Sequence, residues 1–262
     1  GVYQDLEDIK SWPKAEKYPA DGKSFSRTNT VYPGDLKFED ISGPNGEPDG
    51  IINEYDRTNI GSPLPKFTFG LNNTFNYKNI DLTVFINGSY GNKVLNYMSR
   101  NLNNMESLWN NQLSVVTERA RLQQVNESFA YPRTNSTGAT VYNWFDDIDN
   151  VRVANPNATV PRAIQNDPND NTRLSDRYIE DGSYLRVKNI VLGYNFDKKL
   201  VRKLHLETLR VYANVQNLVT LTKYSGFDPE IGVSTASVNV YGLDNGRYPS
   251  PQIYSFGLNL SF

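Results

Sequence analysis

The sequence predicts an all-β fold: about five antiparallel strands with long outer loops, forming one segment of a large transmembrane β-barrel. Three observations lead there. Apolar and polar residues alternate with a period of two in five separate stretches. The connections between those stretches are alternately short and very long, as in outer-membrane barrels with short inner turns and long outer loops. Finally, single-chain membrane barrels need about 8 strands or more, and hydrocarbon does not tolerate an open sheet edge, so five strands must be completed by others.

In chain order, the first alternation runs from Phe67, with Phe69, Leu71, Phe75 and Tyr77 on one face and Thr68, Gly70, Asn72, Thr74 and Asn76 on the other. After Lys78-Asn79 it resumes in Ile80, Leu82, Val84, Ile86 and Tyr90, so 67–90 reads as a hairpin with a tight turn. Two strands follow in 183–221. In the first, Ser183 to Phe196, the apolar stripe is Ile190, Leu192, Tyr194 and Phe196. In the second it is Leu209, Val211, Ala213, Val215, Val219 and Leu221. A final strand in 252–262 alternates Tyr254, Phe256, Leu258, Leu260 and Phe262 with small polar residues. The connections 5–66, 91–182 and 222–251 are long and rich in Asn, Asp, Pro and Gly, and are expected outside. Lys78-Asn79 and Asp197 to Glu207 are short and expected on the periplasmic side.

Composition narrows the chemistry. The chain of 262 residues carries 27 Lys and Arg against 29 Asp and Glu, a net charge of −2, which provides no broad basic surface for nucleic acid. With no cysteine, disulfides, thiolate metal sites and a cysteine nucleophile are excluded. The single histidine, His205, rules out a multi-histidine metal site and reads as a turn residue. No apolar run approaches the roughly 20 residues of a spanning helix. The first residues, Gly1-Val2-Tyr3-Gln4, have none of the features of an initiator or secretory leader, so the chain is expected to begin in mid-protein.

Several blocks resemble one family, the SusC/RagA-type TonB-dependent outer-membrane transporters. They are Tyr32-Pro33-Gly34-Asp35-Leu36-Lys37-Phe38, Asp49-Gly50-Ile51-Ile52-Asn53 with Asp56-Arg57, and Ile60-Gly61-Ser62-Pro63-Leu64-Pro65-Lys66-Phe67. Gly88-Ser89-Tyr90-Gly91-Asn92, Asp181-Gly182-Ser183-Tyr184-Leu185-Arg186, Leu192-Gly193-Tyr194-Asn195 and Tyr224-Ser225-Gly226-Phe227-Asp228-Pro229-Glu230 follow in the family's order. The resemblance implies the C-terminal portion of a plugged barrel that imports oligosaccharides or peptides and is not an enzyme. It implies as partners the rest of the same barrel, a SusD-like surface lipoprotein, TonB acting through the remainder of the protein, and the lipid of a Gram-negative outer membrane, with no nucleic acid. Tyr254, Phe256, Leu258, Leu260 and Phe262 resemble the terminal signal that barrel-insertion machinery recognises.

Residues 45–56 follow the EF-hand loop template of oxygen ligands at alternating positions. The candidate ligands for Ca²⁺, with Mg²⁺ as the alternative, are Asn45, Glu47, Asp49, the Ile51 carbonyl, Asn53 and Asp56, with Gly50 at the sharp turn and Ile52 as apolar anchor. Asn at the first position and Asp in place of the bidentate Glu at the last depart from the template, and an Asp/Asn/Gly turn without metal explains the same residues.

Trp109, Tyr142, Trp144 and Tyr178 all fall in 91–182 and could stack on a ligand or pack beneath the loop. The acids Asp146, Asp147 and Asp149 in the same connection could be paired for glycoside hydrolysis, but no partner motif supports catalysis, so solvated loop acids are the expectation. The rival function is a secreted, calcium-stabilised, carbohydrate-binding β-sandwich, distinguished by where the aromatic stripes lie: buried between sheets there, turned to lipid in a barrel.

Overall fold

In the computed structural model, which describes residues 1–106, 109–203, 205–231 and 240–262, the five alternating stretches form one antiparallel sheet. Its strands are Phe67–Tyr77 (β1), Ile80–Tyr90 (β2), Tyr184–Asn195 (β3), Thr208–Thr222 (β4) and Ile253–Ser261 (β5). Each lies within a residue or two of the alternation that predicts it, and spatial order follows chain order from β1 to β5. At 9 to 15 residues the strands have the length that a tilted membrane-crossing strand needs.

The register keeps the two faces distinct. Leu71 lies opposite Ile86 and Phe75 opposite Leu82; Leu82 in turn faces Leu192, Leu192 faces Ala213, and Ala213 faces Phe256. One face is therefore an apolar surface, broken only at Asn73 of β1 among the paired rows, and it is exposed: Phe75 is 60% and Phe256 86% accessible. A sandwich would bury those side chains under a second sheet. Bulges between Phe85 and Ile86 and between Gln216 and Val219 shift the register without exchanging the faces, because Ile86 still meets Val187, and Val187 meets Val219. The β1–β2 turn holds Lys78 at φ +53°, and Asn79 Nδ2 donates to Asp197 Oδ1 at 2.9 Å, tying the two short connections together.

The stretch 197–207 departs from the plain turn expected of it. Lys198–Lys203 forms a short helix with Val201 buried, and His205 follows at φ +59°, donating its backbone N–H to the Arg202 carbonyl at 3.1 Å.

The chain divides into two compact units. One comprises Ile60–Met98 and Ser175–Phe262 and contains the five-stranded sheet, together with a small sheet in which Lys93–Asn96 lies between Leu243–Asp244 and Ile179–Asp181. The other is made of Gly1–Asn59 and Ser99–Leu174, most of two connections that sequence treats as separate outer loops. It has a core of its own. Asp5 caps the helix Leu6–Ser11 by accepting the Asp8 amide, which places Leu6 and Ile9 on one buried side with Tyr3, Phe25, Tyr32, Ile148 and Val151.

That second unit is pinned by a buried ion pair. Arg162 donates from Nε to Asp35 Oδ1 at 2.7 Å and from Nη2 to Asp35 Oδ2 at 3.0 Å, both residues being almost fully enclosed. Tyr32 and Asn171 add donors at 2.9 and 3.1 Å. Gly34, at φ +91°, lets the Tyr32–Phe38 turn approach Arg162, where an added methyl would collide with the arginine Cβ. Burial raises the Asp35 carboxyl above its ordinary range against the opposing pull of Arg162.

Candidate functional site

The polar face of the sheet carries the charged groups. On β2 and β4, Asp81 and Arg210 meet by two hydrogen bonds, Nε to Oδ1 at 3.0 Å and Nη2 to Oδ2 at 2.5 Å, and Asn195 of β3 donates to the same Oδ1 at 3.0 Å. Further along, Arg186 of β3 is nearly buried and donates to Thr220 at 2.8 Å, to Glu230 at 2.7 Å and to Asp228 at 2.5 Å. Lys188 reaches both Glu230 carboxylate oxygens at 3.0 Å. Asp228 also accepts the amides of Glu230 and Ser250 at 2.9 and 3.1 Å. Burial pushes the Asp228 carboxyl up, but those two amides and Arg186 outweigh it and hold it below the usual range. The network fastens the segments around 228–230 and 250 to the end of strand β3. Residues 232–239 of the same connection lie outside the described residues.

A depression of about 640 Å³ lies near Ala213, lined mainly by Ile80, Leu192, Tyr194, Val211, Phe256 and Leu258. Its lining is mostly apolar and belongs largely to the exposed apolar face of the sheet.

Of the six expected metal ligands, the carboxylates Glu47, Asp49 and Asp56 form no metal-binding cluster among the described residues. Asp56 accepts the Ile41 and Ser42 amides at Oδ1 (2.8 and 3.1 Å) and the Asn53 amide at Oδ2 (2.7 Å). Asp49 accepts the Ile51 amide at 2.9 Å and Asn53 the Tyr55 amide at 2.8 Å. Asn45 and Glu47 stay at the surface. Burial raises the Asp56 carboxyl, yet the three amides prevail and lower it. Asp40, which the loop template does not include, accepts the Gly50 amide with one oxygen at 2.6 Å, while its other oxygen is buried with no partner among the described residues. Gly50 is at φ +83° and Ile52 is buried, as the template requires. No three His, Asp or Glu side chains among the described residues converge as a metal site. The donor atoms are the right kind for a hard cation, but the Asp56 oxygens also accept backbone amides.

The aromatic candidates separate. Trp109 and Tyr142 are exposed, whereas Trp144 packs against the core of its unit and stacks edge-on with Phe145 at 5.8 Å. Tyr178 belongs to the other unit and is 3% accessible, so it is covered rather than presented. The three acids each have a structural partner: Asp146 with Arg27, buried Asp147 with Arg133 and the Tyr131 hydroxyl, and Asp149 with Ser136. Tyr254, Phe256, Leu258 and Leu260 share the exposed apolar face, and Phe262 follows the last strand residue.

Sequence and structure comparisons agree with this geometry. The chain is 34% identical to TonB-dependent receptor P3 of Formosa agariphila over 235 residues, covering 88% of this chain and 19% of the receptor. It is 27% identical to TonB-dependent receptor P26 of the same organism, covering 100% and 22%. TonB-dependent receptor SusC of Bacteroides thetaiotaomicron matches at 37% over 90 residues, or 34% of this chain and 8% of that protein. Two solved structures of the RagAB peptide importer, in its closed-closed and open-open states, superpose with a TM-score of 0.52 at 20% and 19% identity. They cover 84% and 95% of this chain and 20% and 22% of theirs, and the likeness is one of fold. No family model matches. The chain spans about a fifth of the length of the curated relatives it matches over most of its own length.

Proposed function

Because the chain belongs to the TonB-dependent receptor family, we propose that its five-stranded sheet is part of the wall of an outer-membrane transporter that imports oligosaccharides or peptides. The apolar face lies against lipid and the polar face, with Asp81, Arg210 and Arg186, lines the lumen. Energy from TonB and the gripping of cargo belong to the whole receptor, with a SusD-like lipoprotein over the outer opening. The segments 91–182 and 222–251, with Trp109 and Tyr142, add secondary contacts to cargo or lipoprotein. The RagAB structures are of a peptide importer, which supports peptide as cargo, and oligosaccharide is kept as the second cargo class on the sequence resemblance alone. Tyr254 to Phe262 serves as the barrel-assembly signal.

One observation carries the reading: the sheet exposes an unbroken apolar face across strands β2 to β5, a surface that water penalises and hydrocarbon favours. A hard cation in 45–56 is retained as part of the proposal on its oxygen spacing and the Gly50 turn. Asp56 Oδ2 accepts a single amide, so a lone pair remains on it for a cation. Fractionation of native membranes followed by intact mass tests the proposal. The protein should appear in the outer membrane, detergent-dependent and several times longer than 262 residues; a water-soluble product would refute the transporter reading.

A further inference from the structure

On β1 the apolar face reads Phe67, Phe69, Leu71, Asn73, Phe75, Tyr77. Asn73 is the exception. Along the paired rows of β2 to β5 that continue this face, no other amide or charged side chain takes a place among the described residues. Asn73 sits near the middle of its strand, where a barrel wall meets the centre of the bilayer. An amide with no hydrogen-bond partner is costly there, because hydrocarbon offers none.

Nothing within the sheet relieves it. The residue directly opposite is Val84, the next across the sheet is Ile190, and the same-face neighbours along the strand are Leu71 and Phe75. The Asn73 side chain makes no hydrogen bond among the described residues. It is also the one half-buried residue of β1, set below Leu71 and Phe75, which are 52% and 60% accessible. A neighbouring protein approaching from the lipid would meet those two side chains first. The remaining side of β1 is the open edge of the sheet, with no strand bonded to it among the described residues.

We infer that the strand which pairs with the open edge of β1 in the whole receptor presents an amide or hydroxyl side chain beside Asn73, so that the two form a hydrogen-bonded pair on the lipid-facing surface. A residue directly across an antiparallel pair has its Cβ about 4.5–5.5 Å away, within reach of a short side chain. Such a pair also selects one register for the joining strands, because a slip of one residue would send the partner to the other face. The inference rests on the barrel-wall reading.

The test is the temperature at which the whole receptor loses its folded mobility on a gel, for wild type, Asn73→Val and Asn73→Thr. The pair predicts that Asn73→Val lowers that temperature or prevents assembly, since the partner is left unsatisfied, while Asn73→Thr stays near wild type. An unchanged or raised temperature for Asn73→Val would mean that the amide faces bare lipid, and would overturn the inference. So would equal damage from both variants, which would make shape the requirement, or loss of an oligomer with the barrel itself unaffected, which would place the partner on another protein. A wild-type receptor that is not a heat-modifiable outer-membrane protein would instead overturn the barrel reading, and this inference with it.

Discussion

Asp81 and Arg210 stand on strands two apart, β2 and β4, and meet directly above Gly193 of the strand between them. A methyl at Gly193 would strike both the Asp81 carboxylate and the Arg210 Nη2. The glycine is thus the condition for the ion pair, and the pair fastens three strands beside the short connections. Gly193→Ala should part the two charges and Arg210→Ala should leave Asp81 with the Asn195 amide but no cation. Both groups are partly solvated, so each change is expected to cost about 1–2 kcal/mol, between the values for exposed pairs and charged hydrogen bonds in general. Thermal unfolding of the receptor in detergent measures this, and Gly193→Ala without effect would show that the pair adds nothing.

Leu82 is the third residue of β2 and lies on the apolar face, opposite Phe75 and Leu192. Leu82→Arg should disfavour insertion by about 2–4 kcal/mol if the residue is near the bilayer centre. Its level in the outer membrane should fall. Thr83→Arg, one residue along on the polar face, should be tolerated better.

In the unit built from Gly1–Asn59 and Ser99–Leu174, Arg162→Met would leave Asp35 buried without its cation. Removal of one member of such a pair costs about 3–5 kcal/mol. Limited proteolysis should then open this unit, and replacing Asp35 by Asn in the same protein should recover part of the loss.

Calcium decides between two uses of 45–56. The cation proposal expects a saturable rise in thermal stability with added calcium that Asp49→Asn abolishes. If calcium leaves the wild type unchanged while Asp56→Ala destabilises it, the carboxylate acts only as a cap for the Ile41, Ser42 and Asn53 amides.

Asp181 provides a pH test outside the long strands. Hydrogen bonds from the Ser183 hydroxyl, and then from its amide, hold the Asp181 carboxyl below its ordinary range. A carboxyl whose folded pKa is lowered stabilises the protein above its unfolded pKa, and loses that contribution as pH falls through the folded value. Ser183→Ala should therefore cost stability in full at neutral pH, and the difference from wild type should shrink as pH falls through the carboxyl range. An identical acid unfolding profile for variant and wild type would count against this link.

Strands were legible in the sequence because each face repeats every second residue, so Leu82, Leu192, Ala213 and Phe256 can be assigned to one surface without knowing that they align. The second unit was not legible. Its core joins Tyr3 and Tyr32 to Ile148 and Val151, and its ion pair joins residues 127 positions apart; no local period marks either. Spacing did find the Gly50 turn and the Ile52 anchor, but it could not show that Asp56 would take up three amides or that Asp40 would enter the loop. Asn73 is visible as an interruption of the stripe, yet its meaning depends on β1 being an edge.

The central claim is that the two faces of the sheet meet lipid and water respectively, and because this chain has no cysteine, single cysteines placed in it, in a receptor freed of any cysteine elsewhere, can report it. In outer-membrane vesicles, cysteines at Leu82 and Val84 should react with a lipid-soluble maleimide and resist a water-soluble one, while cysteines at Thr83 and Phe85 should not show that lipid preference. Alternation with a period of two along β2 is the predicted result. Equal labelling of all four positions by the water-soluble reagent, or protection of all four from both reagents, would contradict the account.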